Sequence, residues 1–505
     1  MKIQRRQQMS LGVVLSYVSI AIKMLSGVLY TPIVLRSLGQ GQYGVYSLCI
    51  SFIGYLTILN AGVNAAYVRF YVQEKVKNEG NVDNLNGLFK EIFIILSIIG
   101  LVGGLVLSVI APVIFGTKIT PDEYLIVRRC FRLLAFTISV EIFTCLYKSF
   151  ITANEQFVFG KLVDIIGAVL APVITLPFLL NGFDCTSIIA VRLGVSILVL
   201  LLCAFFCKNQ LNITFKYEKQ DKKLIANIVQ FVGFILIQSI TDQLNWQIDK
   251  FILARTHGSS EIALYSIGGT LNHYYLLIGA AVSGVFIAKI NRLVASDDKG
   301  SLNNMYRKTC KVFTYLIGYI TLAYIIFGRA FILRWAGKSY EASYTIGWML
   351  MTPVSWVLIN GLAKDIARAQ NQHQLLIVIN LFVCILNTLI SIPLAIKWAA
   401  VGSAFGTFIS EIVICLIINP LYYEKRLGIN MKAVVLDFVR YLPGLVLPAG
   451  FGFLLNHFGI VKPSYSSIAM FGIVFTFVYA ISVWLISMND EDRNLVKRML
   501  SKTAS

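Results

Sequence analysis

Residues 238–251 read QSITDQLNWQIDKF, with Gln238, Asp242, Asn245 and Asp249 spaced four, three and four positions apart. On a helix this spacing puts all four on one stripe. The stripe lies inside a long apolar segment, where a mid-bilayer charge costs about 2.5–3.5 kcal/mol on insertion scales. Carboxylates and amides placed there must meet other polar groups or water. A second stripe with the same spacing, Ser19, Lys23, Ser26 and Tyr30, lies 219 residues earlier. Lys23 and Asp242 occupy equivalent positions, each about halfway along its helix. Either the two stripes line one wet cavity, or Lys23 and Asp242 form a buried ion pair that fixes packing. Nearly three turns of polar surface on each helix exceed what one pair requires, which favours the cavity.

Other charges extend this chemistry. Arg192 and Lys250 add cations within apolar segments. Arg128, Arg129 and Arg132 fall together at the end of another segment. Arg128 and Arg132 are one helical turn apart, so they could clamp an anion or reach for the membrane interface. Glu141, Asp164 and Glu411 are candidate proton or sodium sites, although Lys161 stands one turn before Asp164 and predicts a local ion pair. His273, beside Asn272, could titrate near neutral pH or serve as a hydrogen-bonded packing residue. Lys and Arg around a cavity suit an anionic cargo. No Walker A motif occurs, so uphill movement would draw on an ion gradient or on consumption of the product.

The elements that must position these residues are membrane helices. The chain has 505 residues, of which 57% are hydrophobic and only 14% charged, where a soluble protein carries about 25% charged residues. Apolar runs of 20 residues or more recur about fourteen times, each able to cross roughly 30 Å of hydrocarbon. The first covers residues 10–34 and the last 465–487. These runs lack the alternation of a β-barrel. The basic N-terminus precedes a run too long for a signal-peptide core, so that run reads as a retained first span. With the N-terminus inside, about 29 of the 44 Lys and Arg fall in cytoplasmic segments and about 11 outside, which places both termini in the cytoplasm. The net charge of +19 sits in short loops such as 208–223, with no base-stacking motif beside it. It therefore reads as a topology determinant near anionic lipid rather than a nucleic-acid surface. The nine cysteines form no zinc-like pair and read as packing residues.

Two halves echo each other. LRSLGQGQYGVYSL (35–48) lies over ARTHGSSEIALYSI (254–267) at an offset of 219, aligning Gly39 with Gly258 and Tyr46 with Tyr265. LYKSFITANEQF (146–157) lies over LAKDIARAQNQH (362–373) at an offset of 216. The predicted organisation is an N-terminal lobe at 1–207 (spans 1–6), a basic cytoplasmic linker at 208–224 and a C-terminal lobe at 225–422 (spans 7–12). Two further spans and a cytoplasmic tail occupy 423–505. Six is even, so the lobes run the same way through the membrane, as parallel repeats. GQGQYG at 39–44 matches G-x-G-x-x-G, but it joins two membrane helices rather than a strand and a helix, so it is no dinucleotide fingerprint.

The stretch TPIVLRSLGQGQYGVYSLCISFIGYLTILNAGVNAAYVRFYVQEK (31–75), with IDKFILARTHGSSEIALYSIGGTL (248–271), resembles bacterial polysaccharide exporters. These are the O-antigen and capsule repeat-unit flippases of the multidrug/oligosaccharidyl-lipid/polysaccharide exporter superfamily. The resemblance implies a MATE-like, all-α integral membrane fold of two six-helix lobes plus two C-terminal helices. It also implies a cargo, an undecaprenyl-diphosphate-linked glycan, moved from the inner to the outer leaflet of the bacterial cytoplasmic membrane. Lys23, Arg192, Lys250, Arg128 and Arg132 are then the cations for the diphosphate. Asp242 and Asp249, with Gln238, Asn245, Ser19, Ser26, Tyr30 and His273, form the polar or ion-coupling set. No cofactor and no metal site is expected, any coupling being to Na+ or H+. The partners expected are membrane lipids and a polysaccharide polymerase, with no nucleic acid. Many family members have twelve spans, whereas the lipid II flippases of the superfamily have fourteen, so a peptidoglycan-precursor cargo stays open. A drug/cation antiporter would favour carboxylates over Lys and Arg in its cavity. An integral-membrane polymerase would carry a large catalytic loop, and no loop exceeds about 25 residues, which leaves a transporter rather than an enzyme.

Overall fold

A computed structural model of the chain describes residues 5–77, 82–115, 120–216, 222–283 and 286–494. Those residues form helices and no strand. In chain order the first seven are α1 (Arg5–Lys77), α2 (Asp83–Phe115), α3 (Pro121–Ala153), α4 (Phe157–Leu180), α5 (Cys185–Asn209), α6 (Lys222–Thr256) and α7 (Ser259–Ser283). They are followed by α8 (Ile287–Ala295), α9 (Lys299–Trp335), α10 (Ala342–Ile359), α11 (Leu362–Ala369) and α12 (His373–Val413). The chain continues with α13 (Asn419–Leu427), α14 (Met431–Tyr441), α15 (Pro443–His457) and α16 (Tyr465–Ser482).

Ten of the described helices are long and apolar enough to cross a bilayer, or eleven when α14 and α15, bent by 41°, count as one crossing. The sequence reading expects about fourteen crossings. Part of the difference lies in helices that break inside. The 73-residue α1 has a non-helical Gly39 (φ 70°), and α12 breaks at Trp398 and Ala399. Residues 10–34 and 43–68, expected as two spans, both lie in α1, and 374–396 and most of 398–420, also expected as two, lie in α12. Outward faces are apolar: Ile95, Ile98, Val102 and Val109 of α2 are all exposed, a stripe suited to hydrocarbon rather than water.

Packing divides the chain into two compact units, Met1–Ala263 and Leu264–Ser505. In the first, α2 meets α3 through small residues. A Cβ on Gly104 would lie 2.6 Å from that of Ala135, and Ser97 donates to the Ser139 carbonyl at 2.7 Å. Such close approach is how helices associate where no hydrophobic effect drives them together. The first half of α1 packs on α4, where Ser26 donates to the Ala168 carbonyl at 3.4 Å. The second half packs on α6 through the Phe52–Phe251 ring pair and Arg69 over Phe231. By packing, α6 thus belongs with the first unit, although the repeat echo assigns it to the second half of the sequence. The glycines of GQGQYG serve tight packing. A Cβ on Gly41 would sit 2.7 Å from Glu123 Oε1, and one on Gly44 would collide with the Ser259 carbonyl oxygen. Ser259 also donates to Glu123 at 2.7 Å.

In the second unit, α9 carries a core of Ile326 and Phe327 against Tyr441, Leu455, Phe475, Tyr479 and Val483. The two C-terminal spans are therefore packed into this unit. The two limbs of α12 fold back on each other, with Ser391 donating to the Ser403 carbonyl at 3.2 Å.

The backbone repeats what the sequence echo predicts. Gly39 and Gly258 both adopt positive φ, 70° and 94°. Glu155 and Asn371, aligned by the second echo, have φ of 58° and 57°. Their turns close with matching hydrogen bonds, Gln156 N to Ile151 O and Gln372 N to Ala367 O. Non-glycine residues seldom enter this region without surrounding support, so the same excursion at both aligned positions marks a shared local fold.

Candidate functional site

Among the described residues, the first unit carries two open cavities with charged and polar groups in their walls. The larger, about 660 Å³, is lined by residues of α1, α3, α4 and α5, among them Tyr30, Asn60, Asn64, Lys148 and Asp164. The smaller, about 360 Å³, is lined by Ser51 of α1, Gln243, Gln247 and Lys250 of α6, and the Glu141–Arg192 pair. That pair also lines the larger cavity, so it stands as a shared wall between the two.

Helix periodicity sets this arrangement. Glu141, Thr144 and Lys148 fall three and four residues apart on α3 and share one face. Arg192 and Ser196 are one turn apart on α5. Arg192 Nε donates to Glu141 Oε1 at 3.0 Å and Nη2 donates to Oε2 at 3.3 Å. Ser196 adds a hydroxyl donor to Oε1 at 3.2 Å. A second pair, Lys148 to Asp164 at 2.8 Å, bridges α3 to α4. This corrects the sequence reading, which pairs Asp164 with Lys161 on the same helix: the cross-helix partner is nearer to hand. Amides complete the larger cavity. Asn64 accepts from Ser149 at 2.7 Å, and Asn60 Oδ1 is buried with no hydrogen-bond partner.

The first stripe splits between environments. Ser19 is buried, Ser26 bonds onto α4 and Tyr30 lines the larger cavity, while Lys23 is exposed. On α6, Asp249 is fully buried, Gln238 and Asn245 are half-buried and Asp242 is exposed. Lys23 and Asp242 therefore do not form the buried ion pair that is one reading of the sequence. Arg128, Arg129 and Arg132 are exposed on α3, and none lines either cavity. His273 is exposed on α7, next to the buried Asn272. The structure thus brings Arg192 and Lys250, two of the cations that the sequence singles out, to one cavity. It adds Asn60, Asn64 and Lys148, which sequence reasoning misses. Lys148 could be found from its place one and two turns after Thr144 and Glu141. The two asparagines carry no charge and look like any polar residue of a long helix.

Long apolar helices around paired charges define a multi-pass membrane protein with a polar interior. The family described as "Polysaccharide biosynthesis protein" matches residues 33–345, and the chain belongs to it. A Shigella flexneri protein described as a candidate O-antigen transporter is 20% identical over 310 residues, covering 61% of this chain and 71% of that protein. Among solved structures, the lipid II flippase MurJ in an inward closed conformation superposes with a TM-score of 0.75 at 16% identity, covering 96% of this chain and 99% of that one. An inward-facing multidrug resistance MATE family transporter of the MOP superfamily gives 0.68 at 10% identity, covering 81% and 94%. The fold is therefore the MATE/MurJ-like helical fold.

Proposed function

We infer that this protein is a flippase for a lipid-linked oligosaccharide in surface polysaccharide biosynthesis. It would carry an undecaprenyl-diphosphate-linked glycan from the inner to the outer leaflet of the bacterial cytoplasmic membrane by alternating access. Both termini would lie in the cytoplasm, in keeping with the Lys and Arg bias of the loops. The observation that carries this reading is Lys250 on the same cavity as the Glu141-paired Arg192, since an intramembrane cation beyond those that a protein carboxylate matches has little use without an anionic ligand to meet. Family membership supplies the glycan-export context. Exposed Lys23 is read as a further cation for the cargo and exposed Asp242 as an ion-coupling group, with Na+ or H+ as the ion for any coupling.

The test is genetic. In a strain lacking this gene, the wild-type copy restores surface polysaccharide, while Arg192→Ala and Lys250→Ala copies that reach the membrane at normal levels do not. Restoration by both variants would remove the cavity from the reading. The MurJ-like fold supports a second reading, lipid II transport. Rescue of cells depleted of their lipid II flippase would favour it.

A further inference from the structure

Lys250 lines the smaller cavity and has no hydrogen-bond or ion-pair partner among the described residues. Gln247 Oε1, on the same cavity, is buried and without a partner. Beside them, the Arg192 fork is filled by Glu141, whose two oxygens meet Nε and Nη2. A carboxylate and a phosphate present oxygens to that fork in the same bidentate way. Two of the three contacts holding Glu141, at 3.3 and 3.2 Å, are longer than the roughly 2.7–2.9 Å of a tight charge-assisted bond. Glu141 also lines the larger cavity, where the side-chain amides of Asn60 and Asn64 carry N–H donors for a carboxylate that leaves Arg192. Taken together, Arg192, Lys250 and Glu141 leave one uncompensated positive charge at the wall between the cavities.

We propose that Glu141 is a displaceable internal anion: it fills the Arg192 fork while the smaller cavity is empty, and yields it to a phosphate-type anion that also meets Lys250. This rests on the reading that the cargo is anionic, and adds to it a competitor built into the site. Cargo arrival then swings a negative charge from one cavity into the other, toward the Lys148–Asp164 pair. A site of this kind carries a single net positive charge when empty, yet presents both cations to the group that displaces the carboxylate. The ligand chemistry is that of a diphosphate.

The experiment is calorimetric titration of the purified full-length protein in lipid nanodiscs with inorganic pyrophosphate. Glu141→Gln keeps the shape of the side chain and removes the competing charge, and is expected to tighten pyrophosphate binding by about tenfold. Adding Lys250→Met to that variant is expected to abolish the gain. Glu141→Asp, which keeps the charge but shortens its reach, gives the same direction with smaller size and serves if the glutamine variant does not fold. Unchanged or weaker binding in a folded Glu141 variant overturns the proposal. If Lys250→Met alone still weakens wild-type binding in that case, the cationic site stands without its competitor. No pyrophosphate binding by any form also overturns the proposal, and the export assay in cells then decides separately whether the transport reading falls with it.

Discussion

A charged side chain in this protein is worth what its surroundings make of it. Lys148 and Asp164 are each about a third exposed and held at 2.8 Å, so removing one leaves its partner facing a cavity. Asp164→Asn is expected to lower stability by about 1–3 kcal/mol, read as a fall in melting temperature, and Asp164→Asn with Lys148→Met to recover part of it. Lys23 and Asp242, by contrast, are exposed. Lys23→Ala and Asp242→Ala are expected to leave stability within about 0.5 kcal/mol of wild type while reducing surface polysaccharide. Normal polysaccharide in both would strip the stripe of its function. The Lys308 ammonium, 2.7 Å away, holds the Glu491 carboxyl below its ordinary value of 4.5. A lowered carboxyl stabilises the fold above its unfolded value and loses that effect as pH falls through the folded one. The gap in melting temperature between wild type and Glu491→Gln should therefore close as the buffer is taken below about pH 4.5.

At the scale of helices, the telling residues are those with little or no side chain. A methyl group on Gly44 would run into the Ser259 carbonyl, whereas one on Gly450 of α15 would meet nothing within 4 Å. Gly44→Ala is expected to cost about 1–3 kcal/mol, and Gly450→Ala to gain up to about 1 kcal/mol. Thermal melts of the two variants in the same detergent provide the comparison. Much of this architecture is legible in the sequence. Hydrophobic runs of membrane length announce helices, and the paired excursions at Glu155 and Asn371 show in the chain as a motif echo. The partner of Asp164 is not legible, because helix periodicity locates neighbours on one helix and says nothing of which other helix lies alongside. For the same reason α6 can be assigned to a repeat but not to the unit it packs with. The cavity suffers most from this limit: Arg192 and Lys250 stand out as charges in apolar runs, but Glu141 as the filler of the Arg192 fork emerges only once α3 and α5 are set side by side.

For the molecule as a whole, the sequence repeat and the packing units do not coincide. The repeat restarts within α6, yet that helix lies against α1 and contributes Lys250 to a cavity walled by α3 and α5. The two C-terminal spans close the core around Ile326 and Phe327, so a chain ending at Gly428 should yield no folded protein by size-exclusion chromatography. A consequence follows from the contact of Gly44 with Ser259. Any protein that passes a bulky sugar chain must not short-circuit the membrane voltage while it waits. Gly44 lies so close to the Ser259 carbonyl that even a methyl group does not fit between them, so this small patch is suited to act as an insulating seam, and enlarging either residue should show first as ion leak in proteoliposomes.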